Sequence, residues 1–126
     1  MTDGPTKVMV VDDTDHMRKM LRSMLELDGF DVAGEAASGQ EALDAIPDVD
    51  PDVVVLDYMM PGMDGVETAR HIRQARPDQV IILYTAFLDP DVEAAAKDAG
   101  VDLCIAKVEG LESLEREISR LAGSLF

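Results

Sequence analysis

Five residues in this sequence carry chemistry and stand in comparable places. Asp12, Asp13, Asp57, Thr85 and Lys107 each follow an apolar run. VMVV, from Val8, opens into Asp12 and Asp13, and VVVL, from Val53, opens into Asp57. VIILY, from Val80, precedes Thr85, and LCIA, from Leu103, precedes Lys107. Singly, each has a bland account: aspartate caps helices, threonine starts turns and lysine is solvated. That account weakens when four runs end alike. Three carboxylates brought together repel one another unless a cation joins them. Mg²⁺ suits such a set, because it is hard, prefers oxygen ligands and keeps water or phosphate oxygens in its other positions. A carboxylate can also be a nucleophile and form an aspartyl phosphate. Asp57 suits that role, since it stands alone while Asp12 and Asp13 form a pair fit for a metal. Lysine adds a compact positive charge, and a hydroxyl can donate to a phosphoryl oxygen. The chemistry indicated is Mg²⁺-assisted phosphoryl transfer to Asp57.

Such residues converge only if the runs are strands of one sheet. Apolar runs without polar alternation suit strands buried on both faces, as in a parallel sheet, whose sites lie at the carboxyl ends of the strands. Between the runs the period changes. Met17, Met20, Leu21, Met24 and Leu25 recur at helical spacing and predict a core stripe, with Asp28-Gly29 ending that helix. Phe30 to Ala36 reads as a shorter strand. Ser38 and Glu41 have capping-box spacing, Ala42, Leu43 and Ile46 give an inward face, and Pro47 is expected to stop the second helix. After Asp57, Pro61, Gly62 and Gly65 predict a tight loop. Asp64 and Glu67 repeat the cap spacing, with Val66, Ala69 and Ile72 inward. Asp89-Pro90 is a cap followed by proline at the first helical position, and Gly100 suits a left-handed C-cap. Val92, Ala95, Ala96 and Ala99 predict a small-residue face. Leu111, Leu114, Ile118, Leu121 and Leu125 mark a last helix. Five strands alternating with five helices give a doubly wound α/β domain, a parallel sheet covered on both faces.

The 126 residues suit one domain, and 47% apolar content excludes disorder. Against 11 Lys and Arg stand 26 Asp and Glu, a formal charge of -15. That disfavours direct nucleic-acid contact and favours cations or basic partner surfaces; a surface adapted to high salt and simple solubility both account for it. The single cysteine, Cys104, gives no disulfide framework and reads as buried filler. No run approaches the length needed to insert into a membrane, and a cytoplasmic protein is expected.

With these residues in order, the whole chain resembles the receiver domain of two-component response regulators. VVDDTDHMRKML, from Val10, resembles the family's acidic motif and first helix, and VVVLDYMMPGMDGVE, from Val53, its phosphoacceptor strand and loop. YTA, from Tyr84, matches the switch-hydroxyl segment, and AGVDLCIAK, ending at Lys107, matches the last strand. The resemblance implies a flavodoxin-like fold of strand order 2-1-3-4-5. It implies that Asp57 takes a phosphoryl group from a histidine kinase or histidine phosphotransfer protein, followed by slow aspartyl-phosphate hydrolysis. A signalling protein rather than a metabolic enzyme is expected. Asp13 would ligate Mg²⁺ directly and Asp12 through water, joined by Asp57 and the Met59 carbonyl. Thr85 would move toward the phosphoryl group, Lys107 would pair with it, and Pro61 and Gly65 would shape the adjoining loop.

The chain departs from that family where the signal leaves the site. Leu103 and Cys104 stand where a glycine and an aromatic are common, and Val108 stands where proline usually follows the lysine. Cys104 is too small to act as the usual aromatic switch, so the response is expected in Thr85 to Asp89, with Phe87 and Tyr84 as moving rings. The chain, 1–126, is expected to be a stand-alone receiver without an output domain, docking to a protein target. Its alternatives are a receiver excised from a DNA-binding regulator and a binding module independent of phosphorylation. A flavin-binding electron carrier would need a loop rich in Gly, Ser and Thr after the first strand. Asp12, Asp13 and Asp15 stand there instead.

Overall fold

A computed structural model describes residues 4–123. Its elements run β1 (Lys7–Val11), α1 (Asp15–Leu27), β2 (Asp31–Ala36), α2 (Gly39–Val49), β3 (Val53–Leu56), α3 (Gly65–Ala75), β4 (Val80–Thr85), α4 (Pro90–Ala99), β5 (Leu103–Ala106) and α5 (Leu111–Gly123). The strands form one sheet in the order β2-β1-β3-β4-β5, every neighbouring pair parallel. This is the flavodoxin-like doubly wound topology. All of β3 and β4 is buried, which is why those runs read as unbroken apolar sequence.

The sheet separates two apolar clusters. Met9, Val11, Val54, Leu56, Ile81 and Leu83 face α2, α3 and α4, where they meet Ile46, Ile72 and Ala96. Val8, Val10, Val53, Val55, Ile82 and Tyr84 face α1 and α5, meeting Leu21, Leu25, Leu114 and Ile118. Alternate residues of each strand point to opposite faces, so one run supplies both clusters.

The predicted caps form. Glu41 N–H donates to Ser38 Oγ at 3.1 Å, Glu67 N–H to Asp64 Oδ1 at 2.8 Å, and Val92 N–H to Asp89 Oδ1 at 2.8 Å. Glu41 reaches back to the Ala37 N–H rather than to that of Ser38. Gly100 closes α4 with φ 98°, a left-handed conformation that glycine adopts without steric cost.

Three expectations are corrected. Pro47 does not stop α2, which continues to Val49 and ends at Asp50 in a left-handed conformation, its N–H donating to the Ile46 carbonyl at 2.8 Å. In the last turn proline forfeits one backbone bond, and the packing of Val49 against Gly34 of β2 holds that turn in place. Met20 and Met24 are not in the core; they are 49% and 41% exposed. Arg18 and Arg22 reach from α1 to Glu35 on β2, so the inward stripe narrows to Leu21 and Leu25 with Met17 at its margin. Ala95 is exposed too, because the buried line on α4 runs through Ala96 and Ala99. Leu43 and Cys104 are half-buried. Leu125 lies outside the described residues. No helix among the described residues is long and apolar enough to cross a membrane.

Candidate functional site

The parallel register brings the five residues to one edge of the sheet. Val11 pairs with Leu56 and Leu56 with Leu83, so Asp12, Asp57 and Tyr84 follow at one level. Thr85 pairs with Ala106, the residue before Lys107. Backbone bonds fix the strand ends: Asp57 N–H donates to the Val11 carbonyl at 3.0 Å, and Asp12 N–H to the Ala36 carbonyl at 3.1 Å.

Carboxylate oxygens of Asp12, Asp13 and Asp57 all lie within 4.8 Å of one another. Asp12 is buried, Asp13 is exposed, and Asp57 is intermediate. Lys107 crosses from the β5 end, and its Nζ donates to Asp12 Oδ2 and to Asp57 Oδ2, each at 3.1 Å. Its Nζ also stands 6.0 Å from the centre of the Tyr84 ring, at the outer limit of a cation–π contact. Burial pushes the Lys107 ammonium down, but the charge of Asp57 and the bonds to Asp12 and Asp57 outweigh it and lift its pKa above the ordinary lysine value. Lys107 is therefore cationic at neutral pH. Burial also raises the Tyr84 phenol, partly opposed by Lys107, and raises the Cys104 thiol, aided by Glu93. Both effects disfavour the Cys104 thiolate.

The remaining oxygens of the two inner carboxylates accept backbone donors. Tyr58 N–H donates to Asp57 Oδ1 at 2.7 Å, and Thr14 N–H to Asp12 Oδ1 at 2.9 Å. The loop beyond Asp57 folds back tightly, with Gly65 N–H donating to the Tyr58 carbonyl at 2.9 Å. A Cβ on Gly65 would lie 2.2 Å from the Asp57 carbonyl oxygen, so only glycine fits there. That loop carries Met59, which with Asp13, Tyr58, Met60, Pro61 and Asp64 lines a cleft of about 480 Å³ beside the acidic group.

Thr85 is buried, and its Oγ1 accepts the Phe87 N–H at 3.2 Å. Phe87 itself is 61% exposed. Lys107 opens a single 3₁₀ turn, Lys107–Glu109, with trans peptide bonds throughout and Val108 turned to solvent.

Sequence reasoning anticipated the gathering of Asp12, Asp13 and Asp57 and put Thr85 and Lys107 at adjoining strand ends, but it missed their supports. Thr14 two residues beyond Asp12 is a signal that could have been used, since aspartate commonly accepts the N–H two positions on. The donation from Arg18 Nη1 to the Asp12 carbonyl, at 2.8 Å, has no comparable signature, because it depends on how α1 sits over β1.

Comparison with known proteins agrees with this topology. The response regulator receiver domain model matches residues 8–119. The chain is 41% identical over 97 residues to a protein-glutamate methylesterase/protein-glutamine glutaminase of Halobacterium salinarum, covering 75% of this chain and 28% of the relative. It is 41% identical over 110 residues to the response regulator MprA of Mycolicibacterium vanbaalenii, covering 87% of this chain and 47% of the relative. It thus spans less than half the length of either. The structure superposes on the signal receiver domain of NarL from Mycobacterium tuberculosis with a TM-score of 0.89 and 30% identity, covering 96% of this chain and 98% of the other. An acidic group at the end of β1 and β3, bridged by a lysine from β5 and carried on this topology, is thus found in a chain that belongs to the response regulator receiver domain family.

Proposed function

We propose that this receiver takes a phosphoryl group onto Asp57 from a histidine kinase or histidine phosphotransfer protein and signals by docking to a protein partner. The observation that carries the reading is the Lys107 ammonium held between Asp12 and Asp57, beside a third carboxylate. In the transfer, an Asp57 carboxylate oxygen forms a bond to phosphorus as the phosphorus–nitrogen bond to the donor imidazole breaks, and the departing nitrogen takes up a proton. Lys107 already bonds the nucleophile and lies ready to meet the added negative charge. Tyr58 N–H orients the carboxylate through its other oxygen.

The donor set suits Mg²⁺, because it consists of hard oxygens gathered within 4.8 Å. Asp12, Asp13 and Asp57 with the Met59 carbonyl would hold the ion, which when bound offsets charge on phosphoryl oxygens. Thr85 supplies a hydroxyl for the phosphoryl group. Turning that hydroxyl inward removes the acceptor that now holds the Phe87 N–H, which ties the site to the loop before α4. The charge of -15 disfavours nucleic acid as the direct partner of this domain and supports a protein target.

The test is intact-mass measurement after incubation with Mg²⁺ and phosphoramidate. Wild type should gain one phosphoryl group and Asp57→Asn none. A label mapped to Asp12, Asp13 or a hydroxyl residue would overturn the assignment.

A further inference from the structure

Arg18 lies on α1, outside the group of five, yet its side chain is only 12% exposed. Nη1 donates to the backbone carbonyl of Asp12 at 2.8 Å, Nε donates to Glu35 Oε1 at 3.1 Å, and Nη2 meets Asp15. The other Glu35 oxygen accepts Arg22 Nη1 at 2.5 Å. One guanidinium thus joins the end of β1, the first turn of α1 and the edge strand β2.

The Asp12 carbonyl belongs to the peptide that links Asp12 to Asp13. That unit is planar and ends at the Asp13 Cα, so a donor on its oxygen restrains the plane and the point from which the Asp13 side chain leaves the backbone. The Asp12 N–H is tied separately to the Ala36 carbonyl, and Arg18 constrains the side of Asp12 that leads to Asp13. Asp13 is exposed and stands in a three-residue connection between β1 and α1, where the chain needs such a restraint.

We propose that Arg18, anchored by Glu35, is a positioning residue for the acidic pair, setting the Asp12–Asp13 peptide so that Asp13 meets a divalent cation. The proposal rests on the metal-site reading above. A buried ion pair is by itself weak evidence of a stabilising role. The planar fork matters here because it serves three acceptors at once, which the single ammonium of lysine cannot match. Arg18→Lys therefore keeps the charge and removes the geometry.

Calorimetric titration of Mg²⁺ into the unphosphorylated protein tests this, at a temperature where thermal melts show every variant folded. Arg18→Lys should weaken Mg²⁺ binding about tenfold, in the range seen when partners that orient metal ligands are lost. Asp13→Asn should weaken it too, and the double variant should be no weaker than Asp13→Asn, because Arg18 acts through Asp13. A purely structural role would lower the melting temperature and leave Mg²⁺ affinity unchanged. Glu35→Gln, which leaves the guanidinium in place and loosens its anchor, should give a smaller loss of affinity and carries the test if Arg18→Lys does not fold. Wild-type affinity in Arg18→Lys, or losses that add fully in the double variant, would overturn the proposal while the metal site stands. Undiminished affinity in Asp13→Asn would overturn both.

Discussion

Thr85 is the residue at which the proposed chemistry and signalling would meet. Its hydroxyl is buried and accepts the Phe87 N–H, so it cannot turn toward a phosphoryl group without releasing that bond. Phosphorylation adds acceptor oxygens and negative charge, which reward the turn. Amide chemical shifts recorded with and without a phosphoryl mimic should therefore change strongly at Phe87 and along α4. Thr85→Ala should abolish those changes, and Cys104→Ala should leave them nearly intact. Changes confined to the metal-binding group would refute this route. The five strand-end residues were legible in the sequence because each closes an apolar run, and parallel register brings such run ends to one edge of the sheet. Arg18 and the Tyr58 N–H were not, because the backbone groups involved leave no trace in residue type; for the Thr14 N–H the one sign was its place two residues beyond Asp12.

Among the elements, α1 and α5 share an electrostatic cost. Burial, then the neighbouring Asp28 carboxyl and the charge of Glu112, lift the Glu115 carboxyl to about 7, and its Oε2 is buried without a hydrogen-bond partner. Asp28 ends α1 and Glu115 lies in α5. The folded protein keeps this proton where the unfolded chain has released it, so stability falls as pH rises from the ordinary glutamate value of 4.5 toward 7. Glu115→Gln removes the penalty. Its melting temperature should exceed that of wild type at pH 8 and match it near pH 4; an advantage of equal size at both pH values would show that ionisation is not the cause. The elements themselves were readable from periodicity and caps, since helical stripes and buried runs have different periods. What periodicity could not resolve was width: Met20 and Met24 fall on helical spacing, yet Arg18 and Arg22 tie α1 to Glu35 and leave both methionines in water. Nor could a proline rule see Val49 packed against Gly34 beyond Pro47.

At the scale of the molecule, charge dominates. Most of the 11 basic residues are already paired: Arg18, Arg22, Arg73, Arg76, Lys107 and Arg120 all contact carboxylates, so the remaining excess of acid has too few cationic partners to offset it. Self-repulsion of that kind weakens a compact state, and salt screens it over distances of about 10 Å at 0.1 M and about 3 Å at 1 M. The melting temperature should therefore rise between low salt and 1 M KCl, and a flat or falling curve would contradict this account. The division of the core has a different consequence. Among the described residues no side chain is common to the two clusters, so the sheet works as a partition wall. Thr85 shares the strand face of Ile81 and Leu83, toward α3 and α4, while Met20, Met24 and Leu27 lie open on α1 across the wall. Both clusters hang from the same strands, so a change of packing beside α4 reaches the α1 face only by way of the strand backbones.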